Sequence, residues 1–296
     1  MSEANHLVIV SEQNTPTITL KSVAEIIDFR ETLEPSNAIS SIFTPPTEQW
    51  AFRGQTREFG ALTPSFQRQF SKKSIGTARL IEVNLISAFR QHYQNLSDHS
   101  LDMPSPGQIG NGHDLRCLSV MQHYEIPTRL LDWTGNFWIA LYFACSGDPN
   151  DNAELWYYKR EIFATQRKTD PTLMPLVDIS PDPPNEPFML GAEIAMIAEL
   201  DPKITPRMRS QLAHHTVSTD VFSDHAGLLR KLSADAFTPE GPSWFGRILV
   251  DGSCKPKALQ FLTDSLNINA GTIFPDVVGL GRFLRWQFDS LRTMML

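Results

Sequence analysis

MQHYEIPTRLLDWTGNFWIALYFA, residues 121–144, is the stretch that decides how this chain folds. It holds two apolar runs separated by Gly135 and Asn136. The first, TRLLDWT (128–134), is short and reads as a strand. The second, NFWIALYFAC (136–145), is apolar all round, and periodicity alone does not separate a buried strand from a buried helix there. The Gly135-Asn136 break before it and the turn-forming GDPNDN (147–152) after it favour a helix. A strand followed at once by an all-apolar helix places both near the middle of the protein. Yet Asp132 sits inside that strand, between Leu131 and Trp133.

A second apolar run repeats the anomaly with the opposite charge. WAFRGQ (50–55) reads as a strand with Trp50, Phe52 and Gly54 on one face and Ala51 and Arg53 on the other. A lone buried guanidinium is very costly, so Arg53 must be paired inside the protein or must meet an anion. Arginine is the side chain suited to bidentate recognition of phosphate or carboxylate. Gly54 lets backbone or ligand come close. An internal Arg53–Asp132 pair that locks the sheet is the structural alternative. For Asp132 the alternatives are a cap on the following helix or a pair with Arg129 or Arg53. Thr134 shares the strand face of Asp132, and His123 lies just upstream, so a carboxylate, a hydroxyl and an imidazole gather in an apolar setting.

Around these two islands the elements are mixed. HLVIV (6–10) and TITL (17–20) read as strands, and SVAEIIDFRETL (22–33) as a helix spaced on Ala24, Ile27 and Leu33. A long helix over 77–96 presents Leu85, Phe89, Tyr93 and Leu96, and another over 113–124 presents Leu115, Leu118 and Met121. AELWYYKR, AEIAMIAEL and GRILVDG read as strands. Thr205-Pro206 opens a short helix through Gln211, with proline at its first position. PKALQFLTDSL is a helix, and FPDVVGLGRFLRWQFDSL a final amphipathic one with Val277, Leu280, Leu284, Phe288 and Leu291 on one stripe. There is no regular alternation of strand and helix, so the expected class is α+β, a compact and mostly antiparallel sheet flanked by helices. The proline-rich stretch at about 165–188 reads as a long loop.

The composition excludes several classes. The chain has 296 residues, 41% of them hydrophobic, enough for a sizeable core. No apolar run reaches membrane-spanning length, and MSEANHLVIV lacks the basic region and long apolar core of a signal peptide. A soluble, cytoplasmic protein with no membrane partner is expected. Cys117, Cys145 and Cys254 are far apart, against a disulfide framework or a CxxC metal site. His214 and His215 are adjacent and point in different directions on either a helix or a strand, so no metal site is expected. Phosphate-loop, dinucleotide-loop, zincin and nucleophile-elbow motifs are absent. The net charge of −7 disfavours a general nucleic-acid coat, though Arg53, Arg57, Arg68, Lys72 and Lys73 could line a local groove.

Together, FRGQ and QHYEIPTRLLDWT…ALYFA resemble the FRG domain, a bacterial and phage-associated family. PRMRSQ is similar to its third motif and TIFPDVVGLGRFL to its closing helix, so the resemblance runs from about Ser22 to Trp286. Two departures stand out: Glu125 follows QHY where the family has glycine, and QLAHHTV replaces its Gln-x-Gly-x-Phe. The resemblance implies residues 1–21 as N-terminal strands and 22–296 as an FRG-type domain. It also implies a more distant likeness, in fold and motif order, to ADP-ribosyltransferases, whose first-motif arginine holds NAD. On that likeness NAD is the substrate, with Arg53, Asp132 and Gln211 as catalytic residues. Arg53, Gly54, Gln55, His123, Tyr124, Trp133 and Thr134 bind it. Glu193, Glu199 and Gln211 are alternative occupants of the third catalytic position. The implied role is a transferase or NAD glycohydrolase acting as a toxin or antiphage-defence effector. Its acceptor would be an unidentified protein or nucleic acid, with an antitoxin or partner protein beside it. The alternative is a non-catalytic module in which the Arg53/Asp132 cluster binds a nucleotide, a nucleic acid or a phage protein.

Overall fold

A computed structural model describes residues 17–33, 49–70, 74–93, 95, 111–163, 197–200, 205–235 and 243–295. HLVIV (6–10), Lys72, Lys73, Leu96, the loop at 165–188 and Glu193 lie outside them. Among the described residues seven strands form the sheet: β1 (Ile18–Leu20), β2 (Trp50–Gln55), β3 (Leu130–Thr134), β4 (Ala153–Lys159), β5 (Ile197–Leu200), β6 (Ala213–Ser218) and β7 (Phe245–Val250). The helices are α1 (Val23–Leu33), α2 (Ile75–Tyr93), α3 (Asn111–His123), α4 (Phe137–Cys145), α5 (Pro206–Ser210), α6 (His225–Asp235), α7 (Lys255–Leu266), α8 (Ala270–Ile273) and α9 (Val277–Met295). The strand order is β1-β7-β4-β2-β3-β6-β5. Only the β1–β7 pair is parallel, so the fold is α+β with a mostly antiparallel sheet.

The alternation in β2 separates two cores. Trp50 and Phe52 join Leu155, Tyr157, Ile248 and Val250 beneath α1, α4 and α7. Ala51 faces the other way, into a core of Leu131, Trp133, Trp156, Tyr158 and Phe245 covered by α6. α4 is buried along nearly all its surface, as an all-apolar helix must be. Asn136 caps it, accepting from Trp138 N at 2.8 Å and Ile139 N at 3.3 Å. The cap is therefore Asn136 and not Asp132.

Several sequence expectations need correction. α1 buries Ile26, Arg30 and Leu33 and leaves Ala24 exposed. α2 is rotated likewise: Ala78, Glu82, Ile86, Arg90 and Tyr93 face inward, while Leu85 and Phe89 are half-buried. Its charged residues turn inward because each finds a partner, Glu82 with Arg129 at 2.9 Å and Arg90 with Asp114 at 2.9 Å. That pairing removes Arg129 as a partner for Asp132. Strand β6 carries too many polar residues to show as an apolar pattern; helix α6, with Ala226, Leu229 and Leu232 three apart on its buried face, is a further element absent from the sequence expectations. In α9 the apolar stripe faces outward, with Val277 84% and Phe288 64% exposed. The helix docks instead through Gly279, where an added Cβ would stand 2.0 Å from Phe274 O. Among the described residues no helix is long and apolar enough to cross a membrane.

The feature that positions the site is the junction of β2 and β3. These adjacent strands pair at one position, Phe52 with Thr134, whereas β2 pairs with β4 along its whole length. Beyond that single bridge the two strands lack a ladder, and a cleft opens between them.

Candidate functional site

Arg53 is the first residue of β2 past the bridge. Its Nη1 donates to the backbone carbonyl of Asp132 at 2.7 Å, taking the place of a missing ladder bond. Its Nε is buried and has no hydrogen-bond partner among the described residues. Burial lowers the proton affinity of this guanidinium, the charge of Asp132 opposes that, and Arg68 adds to it. Even so, an arginine stays charged. The cleft has a volume of about 300 Å3 and is lined by Arg53, Asp132, Gln211, His123, Arg207 and Phe143, among others.

Asp132 side-chain geometry answers the question raised by its apolar neighbours. The carboxylate is 52% exposed, pointing into the cleft while the strand beneath it is buried. Gln122 Nε2 donates to its Oδ2 at 3.0 Å. The Thr128 hydroxyl donates in turn to Gln122 Oε1 at 2.5 Å, which sets the amide so that its NH2 faces the carboxylate. On the other side, across the β3–β6 ladder, Asp132 stands opposite His215, whose Nδ1 lies 3.0 Å from Oδ1. That separation is an ion-pair distance reached without good hydrogen-bond alignment, and the His215 ring nitrogens have no other partner. Burial pushes the Asp132 pKa up, but His215, the Arg53 charge and the Gln122 bond outweigh it and hold the carboxyl below its ordinary value. Arg53 and Asp132 thus meet through backbone, in an open cleft, and not as the sealed side-chain pair weighed from sequence.

Residues 48–153 match the family model of the FRG domain. The chain carries an FRG domain. The match is narrower than the stretch from Ser22 to Trp286 over which the sequence suggested it. No curated protein and no solved structure matches the chain.

The FRG domain supplies Arg53, Gly54, His123 and Asp132 to the cleft, while Gln211 and His215 come from beyond its limits. Of the other expected site residues, Trp133 and Thr134 also border the cleft, whereas Gln55 and Tyr124 are not in its lining. Gln55 donates to Glu154 Oε2 at 2.9 Å and to Ala61 O at 3.2 Å, tying the loop after β2 to a fully buried carboxylate. Tyr124 is absent from the cleft lining and packs with Phe89, Tyr93 and His123. Trp133 borders the cleft, while its indole is buried, donates to Thr216 Oγ1 at 2.9 Å and meets Tyr158 edge-on at 4.7 Å. The half-buried aromatic that borders the cleft is Phe143. The Thr134 hydroxyl is spent, donating to Gln211 O at 2.6 Å and accepting from Asn136 N at 3.1 Å. Gln211 lines the cleft with its amide nitrogen 3.3 Å from Ile273 O. Glu199 is buried between Tyr158 Oη and Arg160 Nε, each at 2.8 Å, outside the cleft lining. Of the basic groove, Arg57 lies over the Phe59 ring and Arg68 donates to Thr63 O.

Sequence reading missed Gln122, His215 and Arg207. Gln122 was hidden by its neighbour: in QHY the histidine drew the chemistry, yet one helical step separates it from the residue that reaches Asp132. Arg207 is placed by α5, which starts as its sequence predicts, with Thr205 Oγ1 accepting from Met208 N at 3.0 Å. Thr205→Ala should cost about 1 kcal/mol of stability, read from the midpoint of urea unfolding. An unchanged midpoint would remove this cap from the account of α5. Among the described residues no three ligand-type side chains cluster as a metal site.

Proposed function

We propose that the cleft binds NAD as a substrate and breaks its nicotinamide–ribose bond, as an ADP-ribosyltransferase or an NAD glycohydrolase. The observation that carries this reading is a guanidinium with an unpartnered N–H, Arg53, standing beside an ionised and partly exposed carboxylate, Asp132. When the bond breaks, its electron pair leaves with nicotinamide and positive charge develops on the ribose. A fixed carboxylate at that point stabilises the charge as it forms. Arg53 offers phosphate oxygens the guanidinium N–H groups that its bond to the Asp132 carbonyl leaves over, and that bond holds the group's orientation in advance. Phe143 offers a flat face to the nicotinamide ring, and His123 and Gln211 lie where ribose hydroxyls would reach. A volume of about 300 Å3 suits the nicotinamide end of the dinucleotide, with the adenosine toward the rim. The ADP-ribosyl group then forms its new bond to an oxygen or nitrogen of water, a protein or a nucleic acid, which gives up its proton to solvent. Such consumption of NAD fits a toxin or antiphage-defence effector.

The test is nicotinamide release from NAD by the purified protein beside its Arg53→Ala variant. A charged hydrogen bond of about 1.5–3 kcal/mol implies a fall in kcat/KM of roughly 10- to 100-fold in the variant. Absence of release by the wild type, with and without cell lysate as acceptor, rules the reaction out. A second reading draws on the commitment of Thr134 and Gln211 to backbone partners. With those groups spent on structure, the cleft is a non-catalytic module that binds a nucleotide, a nucleic acid or a phage protein through Arg53 and Asp132. NAD binding without nicotinamide release supports that reading.

A further inference from the structure

We infer that Arg207 is a second anion-binding group of the cleft, and that with Arg53 it selects ligands carrying two linked phosphates over those carrying one. The inference rests on reading the cleft as a nucleotide site, and it goes beyond that reading by naming the feature the site recognises.

The sheet order places the two cations. β3 lies between β2 and β6, and Asp132 sits on β3. Arg53 reaches the cleft from the β2 side. Arg207 reaches it from α5, which leads through Gln211 and Leu212 straight into β6. The arginines therefore enter the cleft from elements on opposite sides of β3, one group for each of two anionic groups. Asp132 keeps its charge and acts on both arginines, but its oxygens face His215 and Gln122, so among the described residues no side-chain ion pair with it ties up either guanidinium.

Arg207 is held ready for a ligand. Its guanidinium lies 4.5 Å over the Phe274 ring, and Arg282 lies 5.1 Å from the same ring. Stacking on an aromatic face fixes the guanidinium plane and leaves its edge N–H groups for an anion. Among the described residues the Arg207 side chain has no hydrogen-bond or ion-pair partner, and it is half-buried. Burial lowers its proton affinity, with Glu125 and Asp132 opposing, and it remains a cation. His123, on the same lining, feels the Arg207 charge. The cleft thus keeps a net positive charge against Asp132, carried on two separate guanidinium groups.

The experiment is calorimetric titration of the full chain with ADP, AMP and ADP-ribose, for wild type, Arg207→Gln, Arg207→Lys and Arg282→Gln, with melting temperatures as the folding control. ADP and ADP-ribose should bind wild type at least about tenfold more tightly than AMP, the scale of one charge-assisted contact. Arg207→Gln should abolish that preference while changing AMP affinity little. Arg207→Lys, which keeps the charge, should restore part of it, and Arg282→Gln should keep it. The inference is overturned if wild type does not prefer the diphosphates, if it binds none of the three, or if Arg207→Gln leaves the preference intact. The outcomes separate this inference from the proposed reaction. A diphosphate preference lost in Arg207→Gln, with no nicotinamide release, keeps the clamp and rejects the reaction. Nicotinamide release with an unchanged KM for NAD in Arg207→Gln keeps the reaction and rejects the clamp.

Discussion

Gly54→Ala is expected to destabilise the protein by about 3–5 kcal/mol or to prevent folding, a loss at the large end for a single methyl group. A Cβ on residue 54 would stand 2.0 Å from Ala140 O and 2.5 Å from Ala144 N. Both atoms belong to the backbone of α4, so no side-chain rotation relieves the contact. α4 has little room to withdraw, because Phe137, Trp138, Ile139, Leu141 and Cys145 are buried around it. The glycine of the FRG motif is thus explained by packing: the motif's strand and the apolar helix after LLDWT touch backbone to backbone, with small residues on both sides. Urea unfolding of Gly54→Ala against Gly60→Ala checks this. Gly60 has a φ of +70 and nothing nearer than 3.8 Å to an added Cβ, so its substitution meets only backbone strain, about 1 kcal/mol. Equal losses at the two positions would mean that α4 moves aside freely, and the packing account would fail.

Much of this arrangement could be read from residues 121–144, because the strongest sequence signals come from elements buried on every side. β3 and α4 are legible because nearly all their residues are buried, and Asp132, the exposed exception in β3, stands out against that background. The cap at Thr205-Pro206 was legible for a different reason, being a local preference that tertiary packing did not override. What escaped was information about partners. α2 and α1 turn Glu82, Arg90 and Arg30 inward, and a pattern of apolar residues cannot show that a charge will be buried. β6, with the sequence AHHTVS, lines a polar interior, where Thr216 joins Trp133 to His225. Burial, with the charges of Arg53 and Arg129, pushes that histidine's pKa down to about 3, so it sits in the core uncharged.

The cleft itself was half legible. Arg53 and Asp132 were recognisable as charges in the wrong surroundings, but their relation was not, because it runs through a backbone carbonyl. An arginine that repairs an interrupted strand ladder leaves no trace in residue spacing. Gln55 shows the converse: it lies beside site residues, yet its side chain turns away to Glu154 and Ala61. Glu199 was set among candidates for its charge and proves to be a buried acceptor for Tyr158 and Arg160.

The substitution with the largest expected effect on the proposed reaction is Asp132→Asn, which should lower nicotinamide release by about 10²–10³-fold, the scale of removing one preorganised electrostatic group. The variant should fold, since Arg53 bonds the backbone carbonyl of residue 132, which the substitution leaves in place. Its defect should therefore lie in kcat more than in KM, because charge on the ribose develops only in the transition state. The wild-type pH profile adds a second check. Asp132 has a pKa below the ordinary 3.8, so the acid limb due to this group should lie below pH 3.8. His215 is the first of the influences holding it down, and in His215→Gln the acid limb should move to higher pH. Stability follows the same sign. A carboxyl whose pKa is depressed on folding contributes stability above its unfolded pKa and loses it as pH falls through the folded one, so Asp132→Asn should flatten the acid side of the stability curve. Release within tenfold of wild type in Asp132→Asn, or an acid limb that stays put in His215→Gln, would show that the carboxylate is held in the cleft for binding alone. The catalytic reading of the pair would then give way to the binding module.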